Sequence, residues 1–108
     1  YMKRAKVSEV MLAASSARTN VSESAAFLGH MPATASLVIE TQSSTYVSGV
    51  AYALDGVTGV VTALAQGFSD TTIDAKSLTL TGTIQTNGQV VWDCGGSIPA
   101  KYRPSSCQ

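Results

Sequence analysis

The first twenty-eight residues carry apolar side chains at steps of three and four. Val7, Val10, Met11, Ala14, Val21, Ala25 and Leu28 recur at that spacing, with Lys6, Glu9, Ser16, Asn20 and Glu23 between them. That period lays the apolar set along one stripe of an amphipathic helix, predicted over residues 1–28. Gly29 suits a C-terminal cap, and Pro32 prevents continuation. No N-cap residue precedes Tyr1, so the helix is expected to continue upstream of this chain, the alternative being a helix that frays at a true terminus. From Thr45 the period becomes two. In TYVSGVAYAL, Tyr46, Val50, Tyr52 and Leu54 share one side; VTGVVTALA follows after Asp55-Gly56. That dipeptide between extended runs predicts a hairpin with a type I′ turn. SLTLTGTIQT then sets Leu78, Leu80 and Ile84 against Thr79, Thr81, Thr83 and Gln85. Asn87-Gly88 marks a second hairpin, and QVVWDC is the last strand, with Val90, Trp92 and Cys94 on one face.

Two stretches lack a sustained period. Residues 29–45 read as a connecting loop, with a short strand or turn expected at Leu37–Glu40; QGFSDTTIDAK (66–76) reads as turn-like. The sheet, over residues 46–94, has one apolar face and one Thr-rich face. Packing the helical stripe on the apolar face gives a two-layer α+β domain, a long N-terminal helix on a four-stranded antiparallel sheet.

Composition narrows the function classes. A chain of 108 residues is one domain by size. Charged residues are 13%, about half of the usual share, and the formal net charge is zero. A general nucleic-acid binder needs an excess of cations, so that class is disfavoured. The bases do cluster, at Lys3, Arg4 and Lys6 and again at Lys101 and Arg103, and both clusters read as solvated surface. No run approaches the ~20 apolar residues that span a bilayer.

Candidate chemistry is sparse. His30 is the one histidine, with no nucleophile or acid beside it in sequence. Asp55, Asp70, Asp74 and Asp93 lie in or beside turns, where Asp bonds local backbone; Asp70 and Asp74 alone are a poor calcium set. The Asn20-Val21-Ser22 sequon falls inside the predicted helix. No catalytic constellation, phosphate loop or cofactor motif is present in the sequence, so an enzyme is not expected. Cys94 and Cys107 bound a loop containing Gly95, Gly96, Pro99, Pro104, Ser105 and Ser106. Their spacing suits neither zinc nor a C-x-x-C redox centre. A structural disulfide or two free thiols remain. A disulfide is the favoured reading, since it would tie down a terminal segment that otherwise frays, and it implies an oxidising compartment.

The two ends of the chain together resemble type IVa pilins. At the front, Ala5-Lys6-Val7-Ser8-Glu9 and Thr19-Asn20-Val21-Ser22-Glu23 match the segment where the family's long helix leaves the membrane. At the back, Trp92, Cys94, Ile98, Pro99, Lys101, Tyr102, Pro104 and Cys107 match the terminal disulfide loop. The family's cleaved leader, methylated first residue and apolar half-helix lie outside this sequence, which therefore resembles the soluble headpiece of a truncated pilin. The resemblance implies the pilin fold with a Cys94–Cys107 disulfide. It implies a subunit that is held in the inner membrane, headpiece in the periplasm, and then polymerises with itself through the apolar half-helix. The product is an extracellular filament used for surface adhesion, twitching motility and DNA uptake. Partners implied are the assembly machinery, minor pilins, and host or abiotic surfaces. Nucleic acid is weakly supported, through Lys101 and Arg103. Lys101, Tyr102 and Arg103 are the candidate contacts to neighbouring subunits or surfaces. Competing readings are a minor pilin, a pseudopilin of type II secretion, and a secreted binding module that never polymerises.

Overall fold

The structure, a computed structural model, describes residues 2–34 and 44–107. The short strand or turn expected at Leu37–Glu40 and the first residue, Tyr1, lie outside those residues. Helix α1 spans Met2–Leu28, and four strands follow: β1 Val47–Asp55, β2 Thr58–Ala65, β3 Ser77–Ile84 and β4 Val90–Gly96. The sheet is an antiparallel meander in the order β1-β2-β3-β4. The helix lies across one face, and two 3-10 turns, Ala100–Tyr102 and Ser105–Cys107, close the tail.

The stripe predicted for α1 is the stripe buried. Val7, Val10, Ala14, Val21 and Ala25 are wholly inaccessible. Ala17, which the spacing argument passed over, completes the row between Ala14 and Val21. Three of these six are alanines, so the helix can approach the sheet closely. Leu28 departs from expectation and is exposed, as the chain leaves the sheet there. Gly29 takes positive φ (80°), and its N–H returns to the Ala25 carbonyl at 2.8 Å, closing the helix as its sequence position implied.

Across the interface, the strands present Val50 and Tyr52, Val61, Ala63 and Ala65, and Leu78 and Leu80. The alternation in β1 carries a correction. A register shift between Val47 and Gly49 turns Val47 inward together with Val50, while Tyr46 precedes the strand and is half-buried. A bulge permits this because it adds one residue to one strand and resets its side-chain phase. Tyr52 is seated by its hydroxyl, which donates to the Pro32 carbonyl at 2.7 Å.

The turns also differ in detail from expectation. Asp55 pairs with Thr58, so the two-residue loop is Gly56-Val57. Only Gly56 has positive φ (62°). A type I′ turn needs it at both central residues, and Gly at the first alone suits type II′. In the second hairpin Gly88 alone is positive (89°); its N–H donates to the Gln85 carbonyl, and the Gln85 N–H donates to Gln89. That is a three-residue loop ending in a glycine bulge.

Gly82 of β3 faces the helix, and a Cβ there would stand 2.8 Å from the Trp92 indole. The vacancy lets Trp92 lie flat across β3 from β4. Its Nε1–H then donates to Ser22 Oγ at 3.0 Å, a polar tie from the last strand to the helix.

The stretch 66–76, read from sequence as turn-like, is packed. Phe68 and Ile73 are buried, and the Phe68 ring meets Tyr46 at 5.2 Å between centroids. Asp74 accepts from the N–H groups of Phe68 and Asp70, so the loop is held by its own carboxylate.

Candidate interaction surface at the disulfide-closed tail

Strand β4 delivers Cys94 to the inner face at the end where the helix begins. Cys94 and Cys107 form a disulfide, with Cα atoms 4.9 Å apart. Between them Ile98 is buried and its N–H donates to the Ser77 carbonyl, while Ser97 Oγ accepts from the Ser77 N–H. The tail is thus fastened at three places: an apolar plug, backbone bonds to the start of β3, and the disulfide. Met11 places its Sδ 3.9 Å from Cys94 Sγ, so the helix covers the bridge.

The ring of Tyr102 is the centre of the outward surface. Lys101 Nζ lies 5.0 Å from its centroid and Lys3 Nζ 5.9 Å, within range for cation–π attraction. Arg4 Nε donates to the Arg103 carbonyl at 3.0 Å, joining the first turn of the helix to the tail. Lys3 also donates to Asp70 Oδ2 at 2.6 Å, which ties the 66–76 loop to the same corner. The Lys3 contact, together with the Thr72 hydroxyl and N–H, holds the Asp70 carboxyl well below the usual carboxylate range. The same hydrogen bond raises the Lys3 ammonium above its ordinary value.

The candidate contacts Lys101, Tyr102 and Arg103 therefore come together with Lys3 and Arg4, and two basic clusters ninety-odd residues apart in sequence form one corner. Reading each cluster separately missed this; the tail's resemblance to a known loop singled out Lys101, Tyr102 and Arg103 but not their meeting with the helix. A shallow cleft of about 260 Å³ runs between helix and tail, lined by Arg4, Ala5, Ser8, Pro104 and Ser105.

The reactive and ionisable groups around the tail are largely engaged with one another. The sulfurs of the tail are already joined to each other. Asp70 and Asp74 are engaged by Lys3, Thr72 and loop N–H groups. Glu9 accepts from Ser44 Oγ and the Tyr46 N–H, pinning the start of β1 to the helix. His30, at the opposite end, has Nδ1 3.0 Å from the Met31 carbonyl, so that nitrogen carries the proton. Among the described residues no three His, Cys, Asp or Glu side chains converge as metal ligands, and no helix is long and apolar enough to cross a membrane.

A helix laid on an antiparallel meander, with a disulfide closing the tail against the helix, is the architecture of pilins. The family model for pilins, bacterial filament proteins, matches residues 3–108. Fimbrial protein EcpC of Eikenella corrodens is 33% identical over 116 residues, covering all of this chain and 72% of the relative. The chain belongs to the pilin family, which makes it a structural filament protein in class.

Proposed function

We propose that the chain is the headpiece of a major subunit of a type IVa pilus, with residues 1–108 acting as one domain. The subunit is anchored in the inner membrane before assembly and then polymerises into an extracellular filament. The filament serves surface adhesion and twitching motility, with DNA uptake as a further use. Its partners are copies of itself, the assembly machinery, minor pilins and the surfaces it meets. Lys101, Tyr102 and Arg103 of the tail are the contacts. The observation that carries this reading is the tail itself. A disulfide, a buried Ile98 and the Arg4–Arg103 contact hold a partly exposed cationic-aromatic surface in place, and a pre-ordered surface loses less entropy on contact.

The test is genetic and structural. The full gene is placed in a pilus-forming host from which the resident pilin gene has been deleted. Surface filaments containing this protein, with twitching restored, are expected. A secreted protein with no filaments would overturn the subunit reading and favour a free binding module. Filaments without twitching would separate the structural role from the motility role.

A further inference from the structure

Most of the exposed charges lie toward opposite ends of the molecule's long axis; Asp93, paired with Thr81 midway along β4, is exposed between them. That axis measures 41 Å, which is the length of the 27-residue helix at about 1.5 Å per residue. At the end where the helix starts, Arg4, Lys76 and Lys101 are exposed. The carboxylates of the helix start and the 66–76 loop there are already engaged: Asp70 by Lys3, Asp74 by loop N–H groups, Glu9 by Ser44 and Tyr46. At the other end, about 28 Å along the helix from Arg4, stand the exposed carboxylates Glu23 and Asp55. Asp55 belongs to that end because the adjoining turn, Gly56 and Val57, shares a cleft with His30 and Met31 just beyond the helix. The same end exposes Phe27 (90%) and Val57 (80%).

A net charge of zero thus hides a polar subunit, with a cationic pole holding a cleft lined by Ala5 and Pro104 among polar residues, and an anionic pole holding exposed apolar side chains. Self-association through two different patches is heterologous, and a heterologous contact that does not close on itself generates a helical filament. We infer that the cationic pole of one copy (Arg4, Lys76, Lys101) seats the anionic pole of the next (Glu23, Asp55, with Phe27 against the cleft beside Pro104). The partner is a second copy of this chain, and the inference rests on the filament reading above. Complementary poles set the direction and register of stacking, which is what charge pairs do well. Each exposed pair is weak alone, but in a polymer the contact recurs at every step.

The experiment uses the full gene in a filament-forming host, scored by sheared filament protein per cell. Lys76→Glu with Lys101→Glu is expected to lower filament yield by ~10-fold or more, the effect of a modest loss of contact free energy. Adding Glu23→Lys and Asp55→Lys, which re-creates the pairing with signs exchanged, is expected to restore most of it. All four positions are exposed, and melts of the purified chains check that the fold is intact. Yield unchanged by the first pair, or lost without rescue by the second, overturns the inference while leaving the filament reading in place. Wild-type yield combined with loss of binding to a DNA duplex also overturns it, and gives the cations to a polyanion. If the unmodified gene makes no filament, the subunit reading falls, and this inference with it.

Discussion

At the scale of single residues, Cys94 and Asp70 carry the two clearest consequences. The disulfide closes a loop with a sequence separation of 13 residues, worth about 3 kcal/mol in the chain-entropy account. For a chain of this size that corresponds to more than ~10 °C in Tm. Cys94→Ser should therefore lower the melting temperature by that order, and reductant should bring the wild-type protein to the same value. A melt unmoved by either treatment would show that the tail is held by Ile98 and its backbone bonds alone. Asp70 couples the 66–76 loop to the helix through Lys3, and its effect depends on pH. Its folded pKa lies below the unfolded value of about 3.9. The stabilisation is thus complete above that value and is lost as pH falls through the folded pKa. Lys3 works in the opposite sense, its share being present below about 10.4 and lost as pH rises through its raised folded pKa. Asp70→Asn should flatten the acid limb of a stability–pH profile below pH ~4, while leaving the neutral fold intact. Lys3 is nearly half exposed, so added salt should reduce the difference between variant and wild type.

At the scale of elements, the contact between helix and sheet depends on small residues. Ala14, Ala17 and Ala25 let the helix approach, and Gly82 leaves room for the Trp92 ring. Gly82→Val would push the indole off β3 and break its bond to Ser22. Overpacking of that kind costs ~1–3 kcal/mol, readable as a lowered Tm with a changed near-ultraviolet signal from the one tryptophan. Gly82→Ala should show the same effect in smaller measure. These contacts mark the limit of what the sequence makes legible. The helix, the four strands and both hairpins follow from period and turn chemistry, because Val7, Val10 and Val21 or Leu78 and Leu80 announce their faces by spacing. The II′ turn at Gly56-Val57 does not, because the register that closes it on Asp55 and Thr58 is set across the whole strand pair. The inward Val47 is hidden by the bulge that admits it. The packing of Phe68 and Ile73 is hidden too, since a loop that folds around its own Asp74 has no period to read. At the tail, sequence singled out Lys101, Tyr102 and Arg103, but not their meeting with Lys3 and Arg4, a contact between chain positions 99 residues apart.

At the scale of the molecule, the features that suit a polymer are distinct from those that would drive one in free solution. Apart from the adjoining Phe27 and Leu28, the exposed large apolar side chains among the described residues, Leu12, Val57, Leu64 and Val91, are dispersed over the helix, a hairpin tip and the outer sheet face. A stable interface needs a contiguous, well-packed patch, with about 800 Å² buried on each partner. Paired poles of two or three exposed charges add direction but little affinity. Residues 1–108 alone should therefore be monomeric at micromolar concentration, with a radius of gyration close to the 13.7 Å of its Cα trace plus a hydration layer. Sedimentation equilibrium checks this, and the salt series is the informative part. If the poles meet as inferred, weak self-association should emerge at high protein concentration in low salt and vanish near 0.5 M salt, where the screening length falls to a few ångströms, about half its ~10 Å at 0.1 M or less. Association that strengthens with salt would instead place the contact on the apolar residues, Phe27 and Val57 first, and Phe27→Ser would then abolish it where Lys101→Glu does not. A monomer at every salt concentration would mean that stacking needs the subunits held side by side already, as a filament core would hold them, at an effective concentration no solution of free chains reaches.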